Sequence, residues 1–415
     1  MPTLPSLSLA ALPLLFCAVL AGCSSDASSS TTQSSSATQS LDGTYPDAGG
    51  PVPGGPYPAF SSTAPQLALH GGSVLRAPKF QLVRYASDTT TAAATLIQKM
   101  GASSYWSETT SEYGVGPAIA LPEVAISGVA PAKMDDTDVT AWLTAQLDDK
   151  NTAGLAAPDG ETVYVWSPPS SMVITQGGSK LCKEVGGYHS TFKRGNGEAV
   201  PYIVVPHCSR FDDLVGVDAL TFSLSHEMIE AATDPFSDTG YHVAGPLYYA
   251  FAGGEAGDLC ELTSNNSVRP EDIGLLVQRT WSNRAALAGH EPCVPAAGVV
   301  TFGAFAAQSD HIGDNPAITI PNEKTIQVQL WSDAPMDTFA ITAADLAQTQ
   351  GKKPELTVTF PDGSNSASGK NGDILELTVK PIGPGTYPGG ASVLLLEATS
   401  ANGKSQHLWA SYIRH

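Results

Sequence analysis

The pattern of apolar and polar positions divides the chain into parts of different character. Residues 7–22 form an uncharged apolar run, and no later window holds the roughly 18 consecutive apolar residues that a membrane-spanning helix needs. Ser or Thr occupies twelve of the seventeen positions from 24 to 40, and residues 45–65 are rich in Pro and Gly. Such segments cannot bury a core, so residues 23–71 are predicted to form a disordered tether.

Residues 72–295 combine strand and helix patterns. Short apolar runs bounded by turn residues predict strands over residues 80–85, 162–166 and 202–205. Apolar residues near helical spacing predict three helices. The first covers residues 89–100, the second follows a cap at Asp136 or Thr137, and the third covers residues 212–233 and ends before Pro235. This mixture predicts an α+β domain over residues 72–295.

From residue 296 onward the pattern changes to short apolar runs at regular spacing. Strands are predicted over residues 299–305, 317–320, 325–331, 338–342, 355–360, 374–380, 392–398 and 406–413. Turn sequences such as Pro361-Asp362-Gly363 separate the runs. This layout predicts an antiparallel β-sandwich of immunoglobulin-like type over residues 296–415.

Composition narrows the classes of partner. The chain has 40 Asp and Glu against 21 Lys and Arg, a formal charge of −19 at pH 7. Nucleic-acid binding needs a basic face, so we expect no nucleic-acid partner. Hydrophobic residues make up 42% of the chain, which is enough for real cores and excludes wholesale disorder.

The apolar run at the N-terminus ends in Leu20-Ala21-Gly22-Cys23. This resembles the signal of bacterial lipoproteins, in which the cysteine is diacylated and becomes the first mature residue. The resemblance implies a signal peptide over residues 1–22, lipidation at Cys23, and export to the cell envelope, at the outer membrane or cell surface. An ordinary secretory signal is the alternative, and residues 1–22 contain no Lys or Arg.

Four cysteines remain after the signal and Cys23, namely Cys182, Cys208, Cys260 and Cys293. An even number in an oxidising compartment predicts disulfides. Three pairings are possible, and we favour the sequential one, Cys182–Cys208 with Cys260–Cys293. A zinc site built on cysteine is the rival interpretation, but no Cys-x-x-Cys spacing supports it.

The segment with candidate metal-binding and catalytic residues is Ser225-His226-Glu227-Met228-Ile229-Glu230. Residues four apart on a helix share a face, so His226 and Glu230 can reach one zinc ion. Glu227 is offset by one residue, as is the glutamate that takes a proton from water in zinc peptidases. The alternative is a solvated helix face.

A third metal ligand is available in Gly254-Glu255-Ala256-Gly257-Asp258. Glu255 is the first choice, and Asp258 either shares the metal or orients His226. Two carboxylate ligands leave the bound water less acidic than two histidines would, which weakens the case for efficient proteolysis and keeps calcium as an alternative to zinc.

The ordered blocks SHEMIEAATDP, GGEAGDLC and VQRTWSN, with Gly187-Tyr188-His189-Ser190 upstream, resemble the EXORDIUM or phosphate-induced protein family of plants and its secreted bacterial relatives. The resemblance covers about residues 78–295 and implies a zincin-like domain of poorly defined activity. His189 is a further candidate as a fourth ligand or substrate-facing donor, with a strand histidine bonded to a carbonyl as the alternative. Tyr241 and His242 are candidates for stabilising an oxyanion.

Two functions follow from these observations. The first is a lipid-anchored zinc metallohydrolase, a peptidase acting on peptides or proteins outside the cytoplasm. The second is a non-catalytic surface protein whose metal site is structural and whose β-sandwich binds a cell-surface polymer or another protein. An inhibitor or pseudoenzyme is a third, less favoured interpretation.

Overall fold

A computed structural model of the chain describes residues 56–60, 64–236, 239–251, 253–289 and 291–415. The predicted signal sequence, Cys23 and most of the predicted tether lie outside these residues. None of the helices in the described ranges has the length and apolar character needed to cross a membrane.

Residues 64–295 are called here the N-terminal lobe. Its helices are α1 (Ala92–Met100), α2 (Ser104–Thr110), α3 (Asp136–Ala145), α4 (Val217–Thr233), α5 (Pro246–Ala250), α6 (Asp258–Glu261) and α7 (Asn283–Leu287), with a 3-10 turn at Ser111–Tyr113 and a π turn at Gln146–Lys150. Its strands are β1 (Ala68–Leu69), β2 (Lys79–Tyr85), β3 (Ile119–Ala120), β4 (Val124–Ile126), β5 (Lys133–Asp135), β6 (Thr162–Trp166), β7 (Val173–Gln176), β8 (Ser179–Lys180), β9 (Tyr188–Lys193), β10 (Ala199–Val204), β11 (Arg210–Phe211), β12 (Leu214–Val215), β13 (Tyr241–His242), β14 (Ser267–Val268), β15 (Val277–Gln278), β16 (Thr280–Trp281) and β17 (Cys293–Val294).

The central sheet of this lobe has the strand order β3-β2-β6-β10-β9, and β4 also pairs with β2. Strands β2, β6 and β10 are parallel, whereas β9 runs antiparallel at the edge. Side chains alternate across β6, so Val163 and Val165 join the core under α1 and α4, while Tyr164 and Trp166 join the core under α3. The buried strand predicted over residues 162–166 is confirmed.

Three helix starts differ from the prediction, and the first is that of α1, which begins at Ala92 and not at residue 89. Helix α4 begins at Val217, not at residue 212, because β11 and β12 form a hairpin before it. Gly216 has φ +56° and Asp212 has φ +48°, and a right-handed helix cannot pass through such residues. Helix α3 is capped by Asp135, one residue before the predicted cap, and its carboxylate accepts hydrogen bonds from the next backbone N–H groups.

The segment 64–69, which the sequence assigns to the tether, packs on the N-terminal lobe. Leu67 is buried, and both its backbone N–H and its carbonyl pair with the side chain of Asn283. Strand β1 pairs antiparallel with β13. The predicted boundary at residue 71 is therefore too late, because Leu67, in a short apolar stretch at the end of the Pro- and Gly-rich segment, occupies a buried position.

Both disulfides of the structure are in this lobe. Cys182 lies at bonding distance from Cys208, and Cys260 from Cys293. This is the sequential pairing favoured from the sequence. The second bridge ties α6 to β17 and so fixes the segment that immediately follows Asp258.

Residues 296–415 are called the C-terminal lobe. Its strands are β18 (Phe302–Ala306), β19 (Asp310–Ile312), β20 (Asn315–Thr319), β21 (Lys324–Ser332), β22 (Phe339–Asp345), β23 (Leu356–Thr359), β24 (Ser366–Gly369), β25 (Ile374–Pro381), β26 (Ser392–Thr399) and β27 (Gln406–Arg414), with α8 (Leu346–Thr349) and a 3-10 turn at Pro388–Gly390. Each predicted strand overlaps an observed one, and β19 and β24 are additional.

The strands of the C-terminal lobe form two sheets, ordered β18-β21-β25-β23 and β19-β20-β27-β26-β22-β24. Side chains of both sheets share one core, for example Val328 and Leu377 from one sheet and Ile341 and Leu394 from the other. All neighbours pair antiparallel except β20 and β27, which are parallel. The immunoglobulin-like type stays a prediction.

The connection between the lobes is fixed by a buried ion pair. Arg279 is fully buried, and its guanidinium pairs with the carboxylate of Glu291. The other oxygen of Glu291 accepts hydrogen bonds from the backbone N–H groups of Ala297, Gly298 and Val299. The carboxylate that neutralises the buried arginine therefore also holds the start of the C-terminal lobe.

Candidate metal centre

Helix α4 carries three of the predicted site residues. Leu224 and Met228 recur at helical spacing and anchor the helix in the core of the N-terminal lobe. His226, Glu227 and Glu230 face β9 and the segment that leads into α6, as their contacts show. Most of the helix is therefore buried, and these three residues are enclosed instead of solvated.

His226 is oriented by a glutamine behind it. Its Nε2 atom lies 2.8 Å from Glu230 Oε2 and 3.7 Å from Asp258 Oδ1. Its Nδ1 atom lies 2.8 Å from Gln278 Oε1, and the amide nitrogen of Gln278 donates to the carbonyl of Gly257. That second bond fixes which end of the amide accepts, so Nδ1 of His226 carries the hydrogen and Nε2 is left to bind a cation.

Glu230 is held by the backbone of the same segment. Its Oε1 atom accepts hydrogen bonds from the N–H groups of Gly257 and Asp258, at 2.9 and 3.2 Å. A Cβ atom on Gly257 would lie 2.5 Å from His226 Nδ1 and 2.8 Å from Glu230 Oε1. A larger residue would displace His226 or Glu230, and the other oxygen of Glu230, Oε2, is left facing the histidines.

His189 on β9 lies on the opposite side of Glu230. Its Nδ1 atom is 3.2 Å from Glu227 Oε2 and 3.8 Å from Glu230 Oε2, and its Nε2 atom is 3.3 Å from Glu255 Oε1. Glu255 Oε1 is buried, and it makes no well-directed hydrogen bond although it is close to His189 Nε2. The described contacts of the His189 ring are with carboxylates, which places this residue in the site.

The described residues contain two donor sets, each with its ligand atoms within 4.8 Å of one another. One is His226, Glu230 and Asp258, and the other is His189, Glu227 and Glu230. Ligands on a tetrahedral zinc ion lie about 3.3 Å apart, from bond lengths of about 2.0–2.1 Å. The distances from His226 Nε2 and His189 Nδ1 to the carboxylate oxygens of their sets, 2.8–3.8 Å, lie within about half an ångström of that value. Glu255, the first choice as third ligand from the sequence, belongs to neither set, whereas Asp258 belongs to the set of His226.

The groups of the site shift one another's protonation. Burial lowers the pKa of the His189 and His226 rings, but the surrounding carboxylates outweigh it, so both pKa values lie well above the ordinary value. Burial raises the pKa of Glu255 to about 8 and that of Asp258 to about 7, and the charge of Glu230 adds to both shifts. Such a cluster favours positive charge at its centre, either as protons or as a bound cation.

Exposure of the side chains shows where the site opens. Asp258 and Glu255 keep 26% and 19% of their side chains exposed, whereas Glu227 and Glu230 keep 7% and 3%. Solvent therefore moderates the pKa shift of Asp258 most. The cluster is therefore most open to solvent at Asp258 and Glu255.

The two oxyanion candidates have their described contacts elsewhere. The ring of Tyr241 packs against that of Tyr113, with 4.9 Å between centroids. His242 stacks on His70 at 3.7 Å, and its Nδ1 atom lies 2.8 Å from the carbonyl of Val243. These contacts give both residues a role in packing β13 against the lobe.

A serine, a histidine and an aspartate also meet at the carboxyl ends of β2, β6 and β10. Ser167 Oγ lies 2.9 Å from His207 Nε2, and His207 Nδ1 lies 2.9 Å from Asp88 Oδ2. Ser167 is fully buried, and its hydroxyl also lies 3.1 Å from the carbonyl of Val205. A substrate cannot reach this oxygen, so the trio is a structural network beside the disulfide at Cys208.

Sequence reasoning missed the roles of Gln278 and Gly257. Gln278 lies in the block VQRTWSN, and a polar residue in an apolar strand pattern was the available signal. Gly257 lies in GGEAGDLC between two acidic residues, where a required glycine indicates a close approach of backbone to a neighbour.

Comparison with known protein families finds no family model that matches the chain, and comparison with characterised proteins finds no significant match. The resemblance to the EXORDIUM family therefore stays a prediction from the sequence.

Proposed function

We propose that the chain is an exported, zinc-dependent hydrolase that cleaves peptide bonds. The observation that carries the proposal is the convergence of His226 Nε2, Glu230 Oε2 and Asp258 Oδ1, backed by Gln278. Three protein ligands leave a coordination position open, as catalytic zinc sites require. An imidazole donor suits zinc better than calcium, which prefers six to eight oxygen ligands.

A zinc ion held by these residues would polarise the scissile carbonyl and make water more acidic. Glu227 is the group that takes the proton from the attacking water. Its carboxylate is nearly fully buried and lies 3.2 Å from His189 Nδ1, which fixes its orientation. A base held in this way is ready for general base catalysis without rearrangement.

An edge strand beside the cluster supports a peptide as the substrate. In the described ranges β9 pairs with β10 alone, and His189 lies on it. Extended peptides bind to sheet edges through backbone hydrogen bonds. A peptide added to β9 would pass next to Glu227.

Export and anchoring complete the proposal. Two disulfides are typical of proteins that fold outside the cytoplasm. We place the protein in the cell envelope, at the outer membrane or cell surface, with lipidated Cys23 as its membrane anchor.

A non-catalytic surface protein is the second candidate. It is favoured by an apolar cleft of about 360 Å³ between the lobes, lined by Trp281, Trp331 and Trp409 among others. A cleft of this size holds a group as large as a small ligand, such as one unit of a polymer or one side chain of another protein. In that case the metal site would only stabilise the fold.

Glu227→Gln separates the two candidates. If Glu227 is the base, the variant keeps its zinc and loses about 10²–10⁴-fold in turnover of a fluorogenic peptide library. The matched control is Glu108→Gln, at an exposed glutamate of α2 in the same lobe. Wild-type turnover in Glu227→Gln refutes the assigned role, and a zinc-loaded wild type that cleaves no peptide refutes the peptidase and favours the surface protein.

A further inference from the structure

We propose that the cluster holds a second cation, bound by His189, Glu227 and Glu230, and that this ion switches the hydrolase off. The inference rests on the proposed function, because the second ion would share Glu230 with the first and take Glu227, the base, as a ligand. The cation class is a divalent transition metal such as zinc, since the set includes an imidazole.

The first ion leaves His189 and Glu227 unused, and with Glu230 Oε2 as a shared ligand they form a second donor set. Among the described residues, each of the two histidines belongs to a different donor set, and Glu230 is the residue that the two sets share. One ion bound at His226 therefore leaves His189 Nδ1 and Glu227 Oε2, which are 3.2 Å apart, as a ready pair of ligands. Glu230 Oε2, at 3.8 Å from His189 Nδ1, completes that set.

Both imidazoles are oriented in the way that metal-binding histidines are. One nitrogen of each ring faces carboxylates, and the other faces an acceptor behind it: Gln278 Oε1 for His226, and Glu255 Oε1 for His189. An acceptor in that position fixes the tautomer and makes the ligating nitrogen more basic. Glu255 Oε1 is buried without a well-directed hydrogen bond, and Nε2–H of His189 is the donor that a small rotation would bring to it.

Charge favours a second ion as well. The cluster contains the carboxylates of Glu227, Glu230, Glu255 and Asp258 around two imidazoles. With both rings neutral and all four carboxylates ionised, the protonation state that bound cations favour, one divalent ion leaves two negative charges uncompensated in a mostly buried site, and a second ion neutralises them. Uncompensated buried charge is costly, so the site gains from the second ion.

The second ion should bind more weakly and inhibit. Glu230 has already given charge to the first ion when the second arrives, so the shared ligand makes the second binding step weaker. Once Glu227 is a ligand, its carboxylate cannot accept a proton from water. The hydrolase is therefore active with one ion and inactive with two.

Zinc titration of the metal-stripped full chain tests this inference. Wild type should bind two zinc ions, one tight and one weaker, and peptide turnover should fall as the weaker one binds. His226→Ala should lose the tight ion and keep one. His189→Ala should keep the tight ion and weaken the other about 10–100-fold or abolish it. His311→Ala, at an exposed histidine of β19, should still bind two.

The outcomes distinguish this inference from the proposed function. A single ion, lost in His226→Ala and kept in His189→Ala, overturns the second site and leaves the hydrolase standing. No bound zinc overturns the proposed function itself. Two ions with unchanged affinity in His189→Ala overturn the assignment to His189. If that variant does not fold, the magnetic susceptibility of the cobalt-loaded wild type tests the second site instead. Two ions that share Glu230 couple magnetically, and isolated ions do not.

Discussion

Replacing Gly257 by alanine should damage the metal centre through one methyl group. Gly257 has φ −74° and ψ −45°, a conformation that alanine adopts freely, so the backbone tolerates the change. The new Cβ atom would lie 2.5 Å from His226 Nδ1 and 2.8 Å from Glu230 Oε1, both inside van der Waals contact. Either the imidazole or the segment 255–258 must move by about 1 Å.

The size of the effect follows from the bonds that this movement stretches. Gly257 N–H donates to Glu230 at 2.9 Å, and the carbonyl of Gly257 accepts from Gln278 at 2.8 Å. Forcing a methyl group into a packed interior costs about 1–3 kcal/mol, and we expect a loss of about 2–3 kcal/mol from the free energy of unfolding without metal. Misplacing His226 and its supporting groups should weaken zinc binding about 10–100-fold.

Two assays measure these effects, urea unfolding of the metal-free protein and competition of a chelator for zinc. The matched control is Gly383→Ala, where the nearest atom to the new Cβ lies 3.4 Å away and φ is not positive. That variant should change neither quantity beyond about 0.5 kcal/mol. If Gly257→Ala is as harmless as the control, the packing of Gly257 against His226 and Glu230 is refuted.

Two further predictions concern stability. Replacing both Cys260 and Cys293 by serine releases a loop with a sequence separation of 33, which should cost about 4 kcal/mol in urea unfolding; an unchanged midpoint would show that the bridge is absent. In the C-terminal lobe, burial against Phe302 lowers the pKa of His407 to about 4 from an ordinary value of 6.5. Because the unfolded chain then binds the proton more readily, stability should be constant above pH 6.5 and fall by at most about 3 kcal/mol between pH 6.5 and 4. Partial exposure of the His407 ring reduces this free-energy loss. His407→Gln should remove this part of the pH dependence. A pH profile of stability identical to that of the wild type would contradict the assignment of this effect to His407.

Most strands of the C-terminal lobe could be predicted from the sequence because their signals are local, and so could β2, β6, β10, α1, α3 and α4 of the N-terminal lobe. Strand β6 is a continuous apolar run ended by two prolines, and the regular spacing after residue 296 indicated the strands of the C-terminal lobe. The start of α4 could not be predicted, because Gly216 and Asp212 adopt positive φ only in the folded hairpin. Local periodicity does not encode that conformation.

Spacing alone predicted the site only where its residues are neighbours in sequence, whereas Asp258 was named from a nearby acidic segment and His189 from the family resemblance. His226, Glu227 and Glu230 share one helix, so their spacing alone brings them together. The choice of Asp258 over Glu255 depends on how the segment before α6 folds back on the helix. His189 belongs to the site because β9 is the edge strand beside α4, and this position is a property of topology and not of sequence spacing.

The most direct test of the account is anomalous X-ray scattering at the zinc edge from crystals of the full chain grown with zinc. The account predicts a peak within about 2.2 Å of His226 Nε2, Glu230 Oε2 and Asp258 Oδ1. A map without zinc in the cluster, in which His226 Nε2 still lies 2.8 Å from Glu230 Oε2, would contradict the central claim.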